Sequence, residues 1–281
     1  MARQAVRQLL RFCPGELERF QYRTRPLKRR HGALPADLIA RAYSRARSQS
    51  KREAGAPPLE GRATERLHTQ GVYIPAHFKP DDEAVQELLN HSGAADLITS
   101  TGDGLLATML PFLYDAPGSR PGIGELGALV GHVARANAQW RLPALEAMVI
   151  VRGPDAYISP SWYATTREHG RVVPTWNYLT AHVYGTLIIH DDVEWLEGLV
   201  RRLTENYESG RRDRWSVDDA PKDYFAGQLR AIVGVEILIE RIEAKAKLTQ
   251  NRSAEDMAGV IAGLDESGSP ELAEAMRKVQ R

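Results

Sequence analysis

Three of the five tryptophans sit beside small polar residues: Trp140 in N-A-Q-W, Trp162 in S-P-S-W-Y and Trp176 in T-W-N-Y, where Asn177 follows. An indole next to Ser, Thr or Asn at a strand end is a flat apolar wall with hydrogen-bonding groups around it. A planar heteroaromatic ligand needs such surroundings. In A-Y-I-S-P-S-W-Y, residues 156–163, Pro160 interrupts a strand-like run, flanked by Ser159 and Ser161 and followed by Trp162 and Tyr163. Proline cannot donate to a sheet ladder, so the chain is expected to leave the sheet there. Two more segments add polar and charged groups. G-H-V-A-R-A-N at 131–137 carries His132, Arg135 and Asn137, with Gln139 and Trp140 just beyond. K-A-K-L-T-Q-N-R at 245–252 carries Lys245, Lys247, Gln250, Asn251 and Arg252. A solvated basic loop is one reading of the latter; with Arg135, the same charges could neutralise a phosphate. Planar walls, hydroxyls and cations together suggest a flavin nucleotide.

The familiar catalytic templates G-x-S-x-G, H-E-x-x-H and G-x-x-x-x-G-K-[ST] do not occur. Gly102, Gly104 and Ala107 match a loose dinucleotide fingerprint, which needs a helix to follow. Here L-L-A-T-M-L-P-F-L continues as strand, so Asp103-Gly104 reads as a hairpin turn. His190-Asp191-Asp192 could be imagined as metal ligands, but it precedes an amphipathic run and reads more simply as a helix cap.

The elements that must position these residues are mostly strands. After a helix over D-D-E-A-V-Q-E-L-L-N-H, capped by Asp81, the chain shows short strand patterns separated by turn residues. They include E-L-G-A-L-V-G-H-V-A, A-L-E-A-M-V-I-V-R-G, A-Y-I-S-P-S-W-Y and T-W-N-Y-L-T-A-H-V-Y-G-T-L-I-I, and they suggest a barrel. A helix carries Val193, Leu196, Leu199, Val200, Leu203 and Trp195, and I-V-G-V-E-I-L-I-E-R-I-E-A-K-A-K reads as a last long strand. Two helices close the chain, with Ser253 and Asp256 as a capping box and Ser269-Pro270 as cap and first helical residue. They read as packing helices. In a recognition helix, Glu271 and Glu274 would occupy the turns that approach DNA.

The 281 residues are long enough for a substantial core, and no apolar run is long enough to cross a membrane. The single cysteine, Cys13, excludes an internal disulfide and fits a reducing, cytoplasmic setting. Charge is uneven. Residues 1–71 hold 16 Lys and Arg against 6 Asp and Glu, and residues 72–281 hold 21 against 30. The basic part divides off as a disordered extension, apart from a short helix with Ala5, Val6, Leu9, Leu10 and Phe12 on one side. It reads as an in-frame extension upstream of a start at Val72, as a nucleic-acid-binding arm, or as a targeting segment.

From Val72 to Val279 the sequence resembles the PaiB family, through Y-I-P-A-H-F at 73–78, L-A-T-M-L-P-F at 106–112, G-H-V-A-R-A-N, A-Y-I-S-P-S-W-Y, V-P-T-W-N-Y at 173–178 and K-L-T-Q-N-R at 247–252. The resemblance implies a mainly β fold with peripheral helices (α+β), an FMN-binding split β-barrel related to pyridoxamine-phosphate oxidase. It implies a homodimer with FMN at the interface and a role as a negative transcriptional regulator. By the same analogy Thr108 and the G-H-V-A-R-A-N segment line the ribityl-phosphate side, Ser159, Ser161 and Trp162 or Tyr163 face the ring, and Trp176 and Asn177 approach from the partner. Alternatives are a flavin-dependent oxidoreductase and a haem-handling barrel using His77, His132 or His182. The acidic body disfavours direct DNA binding, which rests on phosphate neutralisation.

Overall fold

The structure, a computed structural model, describes residues 71–280 apart from 143 and 145. The extension before Gly71 and its expected helix lie outside the described residues. Six strands form the body: β1 (Ala94–Thr101), β2 (Gly104–Asp115), β3 (Ala128–Ala134), β4 (Glu146–Ile158), β5 (Thr175–His190) and β6 (Ile232–Lys247). All neighbours are antiparallel, and the sheet closes in the order β1-β2-β3-β6-β5-β4. The period-two pattern produces this closure, because alternate residues point inward. Leu97, Leu110, Phe112, Leu129, Val149, Val183 and Ile237 fill the barrel, each less than 5% exposed.

The β1–β2 hairpin turns at Gly102-Asp103, one residue before the expected place, and Thr101 pairs with Gly104. Gly104 has φ 116°, in the region that favours glycine. The segments read as two strands, A-L-E-A-M-V-I-V-R-G and A-Y-I-S, are one strand, β4. Its pairing with β5 shifts between Arg152 and Asp155. This bulge accommodates Pro154, which has no N–H for the ladder. The strand does stop before Pro160: β4 ends at Ile158, and Pro160–Trp162 form a single 3₁₀ turn.

Helices cover the barrel. α1 (Asp82–Asn90) is capped as expected, the Asp81 carboxylate accepting from Ala84 N at 2.8 Å. α2 (Thr165–His169) follows the Pro160 turn. α3 (Val193–Glu208) buries Leu196, Leu199 and Leu203, while Val193 is exposed. α4 (Lys222–Arg230) precedes β6. α5 (Ala254–Ser267) and α6 (Pro270–Lys278) bury Val260, Leu264, Leu272 and Met276 in a second core with Ile158, Tyr163 and Leu248. Their cap chemistry departs from expectation in two places. Ser253 accepts from Asp256 N, but the Asp256 carboxylate holds Thr165 through its N and Oγ1, both at 2.9 Å, instead of closing a box. Pro270 does open α6, yet the Ser269 side chain makes no cap bond.

Candidate functional site

The expected site residues fall into three groups. The first is built on the turn after β3. Thr108 Oγ1 donates to Gln139 Oε1 at 2.6 Å and accepts from Asn137 Nδ2 at 2.9 Å, and Asn137 Oδ1 accepts from Gln139 N at 2.8 Å. Gln139 is 3% exposed and donates to Leu97 O and Thr99 Oγ1, both at 3.1 Å. This network shapes the turn so that the Arg135 carbonyl accepts from both Trp140 Nε1 (3.0 Å) and Arg141 Nη2 (2.8 Å). The Arg135 guanidinium itself is occupied. It grips Asp191 at 2.9 and 2.5 Å and donates to the carbonyls of Arg230 and Ile232. The bond to Asp191 raises its pKa. Arg135 therefore ties β3 to the start of β6 and the end of β5, and its donors are not turned to a phosphate.

His132 lies within β3, ahead of that turn, with its Nδ1 buried and without a partner. Burial holds its pKa below the ordinary 6.5. The folded chain thus resists a proton that the unfolded chain accepts. His132 costs nothing above about pH 6.5, and stability falls as the pH drops below that value. We expect His132→Gln to flatten the acid side of the melting-temperature profile between pH 7.5 and pH 5.5. Parallel profiles for the two proteins would contradict this.

The second group gathers around the second core, with Ser161 and Arg252 at its exposed edge. Trp162 lies on α5, where a Cβ at Gly263 would overlap its ring and one at Gly259 would overlap its carbonyl. Tyr163 is 3% exposed within the second core, and the Arg252 guanidinium sits 5.4 Å from its ring centroid. Desolvation raises the Tyr163 pKa. Ser159 and Ser161 bond to each other at 2.8 Å, and Ser161 is exposed. Asn177, 1% exposed, donates to Thr249 Oγ1 at 2.7 Å, and its Oδ1 is buried without a partner. Gln250 closes the turn after β6 by accepting from Leu248 N and donating to Ala246 O. The wall expected from Trp162 and Tyr163 is a helix-docking joint, because the missing side chains of Gly259 and Gly263 make a slot for the indole.

The third group lies on the outside of β5 and β6. Trp176 is half exposed, donates to Asp155 Oδ1 at 2.6 Å and meets Tyr157 edge-on at 6.4 Å. Lys247 Nζ donates to Trp176 O at 2.9 Å and to Thr175 Oγ1. Desolvation, then the nearby Lys245, lowers its pKa.

The imagined metal triad divides among separate tasks: His190 bonds Glu236 and stacks on Trp195, Asp191 pairs with Arg135, and Asp192 caps α3. Among the described residues, no group of three His, Cys, Asp or Glu could hold a metal.

Register brings together a site that spacing did not reveal. Ala107, Ile98, Met148, Tyr184 and Arg241 are successive partners across β2, β1, β4, β5 and β6. Met109, Asp96, Ile150, His182 and Glu243 form the next row. Both rows face outward, since the intervening Leu97, Val149 and Val183 fill the core. Leu105 and Met109 are 75% and 68% exposed, large values for apolar residues aligned on one strand face. This face runs into a cavity of about 450 Å³ bounded by Trp140, Arg141, Glu146, Tyr184, Thr186 and Arg241. The Arg141 guanidinium lies 4.7 Å from the Trp140 ring centroid, and that of Arg241 lies 3.7 Å from that of Tyr184. Two cations and two aromatic rings thus share one cavity, on a mixed sheet face whose exposed apolar residues, Leu105 and Met109, lie on β2. Of these, Trp140 was legible as a candidate; Arg141, Tyr184 and Arg241 were not.

A family model described as "Putative FMN-binding domain" matches residues 72–241, a span that holds both cavity arginines. A Bacillus subtilis protein named "Protease synthase and sporulation protein PAI 2" is 33% identical over 73% of this chain and 96% of its own length. The chain belongs to the PaiB family of FMN-binding domains. Another similar protein, uncharacterised, from Emericella nidulans, is 29% identical over 70% of this chain and 92% of its own. Among solved structures, the "FAD and Heme binding protein" of Mycobacterium smegmatis aligns at 17% identity with a TM-score of 0.41, over 60% of this chain and 72% of that one. The family match ends before K-L-T-Q-N-R, α5 and α6, so the second group of expected residues lies partly beyond it. No helix of the described residues is long and apolar enough to cross a membrane.

Proposed function

We propose that this chain is a homodimeric FMN-binding regulator whose cofactor sits where the outer barrel face meets the Trp140–Tyr184 cavity. The observation that carries the reading is the pairing of two guanidiniums with two aromatic rings in one cavity, beside exposed Leu105 and Met109. The residues fit FMN. The cavity falls within the roughly 300–1,000 Å³ of ligand pockets. Arg141 and Arg241 would exchange their bonds to the Arg135 carbonyl and to Glu243 for a phosphate, beside Glu146 and Glu240, while Ile98, Met109 and Met148 suit a flat ring. When bound, FMN supplies a ring that accepts one or two electrons. Trp140 and Arg141 hold it from the turn after β3, and Tyr184 and Arg241 from the strands. Thr108, Asn137 and Gln139 act one step back, by fixing that turn.

An apolar strand face this exposed marks an association surface, and a second copy of the chain would cover it. Each protomer's cofactor would then be shielded from water at the interface. His182 lies in the outer-face rows, and among the described residues it is the histidine best placed beside a bound ring.

The regulatory role rests on the name of the Bacillus subtilis relative and on the absence of the catalytic templates from the sequence. Residues 72–281 carry 21 Lys and Arg against 30 Asp and Glu, so phosphate neutralisation gives little help. We therefore assign repression to contact with another protein in the cytoplasm, not to direct operator binding. Fluorescence anisotropy with duplex DNA tests this. Residues 72–281 should bind weakly, with any strong binding confined to the full chain, independent of sequence and lost steeply with salt. Tight, sequence-selective binding by residues 72–281 would overturn the assignment.

A further inference from the structure

A second concavity, a groove of about 1010 Å³, runs between α1 and α6 over β4, β5 and β6. Its apolar surface comes from Leu88, Leu179, Leu248, Ala275 and Val279, with Pro154 of the β4 bulge beside them. Two motifs that the FMN site leaves unused converge on it: His77 from Y-I-P-A-H-F, and Leu248 and Gln250 from K-L-T-Q-N-R. The Gln250 amide bonds the backbone at both ends, which fixes its orientation in that wall. α6 lies beyond the residues that the family model matches.

The rim has a sign. Asp81, Glu87, Glu271 and Glu274 line it with four carboxylates, against the two ammonium groups of Lys79 and Lys278 and the rings of His77 and His91. Asp81 also caps α1 and Glu274 also pairs with Arg277, which leaves Glu271 and the exposed Glu87 as the carboxylates most open to a cation. Lys278 is already committed: its Nζ reaches across to Glu87 Oε1 at 2.5 Å, joining the α6 wall to the α1 wall. Both partners of that bridge are 51% exposed, and an exposed pair of this kind is weak. An incoming cation can therefore take the Glu87 carboxylate without opening anything buried. An anion would meet an excess of carboxylates and one uncommitted lysine.

We propose that this groove binds an aliphatic amine, with the apolar chain on the Leu88–Leu179–Leu248 surface and the protonated nitrogen among the rim carboxylates. The groove is mostly apolar, with charged groups in its lining, as a site for an amphipathic small molecule requires. Its occupant would be sensed by β4 and β5, the strands that also carry Met148 and Tyr184 of the cofactor face.

The test is a calorimetric titration of the full chain with decylammonium, decanol and decyl sulfate, each below its micelle concentration. Decylammonium should bind once per chain and at least about tenfold more tightly than decanol, a difference near 1.4 kcal/mol, with decyl sulfate weakest. Glu271→Lys combined with Glu274→Lys should erase the preference for the amine. Ala275→Trp should block all three ligands by filling the groove. FMN titration and a melting curve accompany each variant, so that loss of fold or of the flavin site is seen separately. Equal affinity for the three head groups, no saturable amine binding, or amine binding that survives both variants would overturn the proposal.

Discussion

Replacing Arg241 with alanine should weaken FMN binding by roughly tenfold to a hundredfold, since a hydrogen bond to a charged group is worth about 1.5–3 kcal/mol. The guanidinium lies over Tyr184 and pairs with Glu243, on a strand exterior rather than in the core. Its removal should leave the barrel standing. Arg141→Ala should act in the same direction from the opposite wall, at the end of the turn held by the Arg135 carbonyl. Ser161→Ala serves as the contrast. That hydroxyl is exposed and bonded to Ser159, so its loss should leave FMN affinity unchanged. Flavin fluorescence on titrating FMN into the three variants measures all of this. A loss in Ser161→Ala with none in Arg241→Ala would move the cofactor to the Pro160 turn.

Glutamate at both Leu105 and Met109 should convert the proposed dimer to monomers. The two side chains point outward on β2 and are more than half exposed in the single chain, so they add little to its fold. Burying each across an interface is worth about 1.5–3 kcal/mol. Losing both should raise the dimer dissociation constant by roughly a hundredfold or more, and the opposed charges add to this. Light scattering after gel filtration reads the mass directly. FMN affinity should fall with the dimer, because the ring loses its cover. A dimeric mass in both proteins would place the association surface elsewhere, and a monomeric parent would contradict the proposed dimer.

The barrel was legible because apolar residues alternate along β1, β4 and β5, where Leu97, Val149 and Val183 need no knowledge of their partners to be read as core. β3 and the start of β6 are buried on both faces and read as continuous apolar runs. β4 was read as two strands because Gly153-Pro154 has the composition of a turn; only pairing with β5 on both sides shows it to be a bulge. α4 has no comparable signal, since K-D-Y-F-A-G-Q-L-R buries only Leu229. The site was legible in residue type and not in assembly. Trp140 stood out by its neighbours, whereas Arg241 reaches the same cavity through the register of β5 and β6. Arg135 resembled a phosphate ligand until Asp191, 56 residues away, was found to hold it. Trp162 resembled a ligand wall because the slot that receives it depends on the missing side chains of Gly259 and Gly263, on a helix far along the chain.

The most direct test of the central claim is an absorption titration of FMN into the full chain, repeated with Arg141 and Arg241 both changed to alanine. The account predicts saturation at one FMN per chain, with a perturbed flavin band, and loss of that saturation in the double variant while its melting curve is retained. Saturable FMN binding of equal strength in both proteins, or none in the parent, would contradict it.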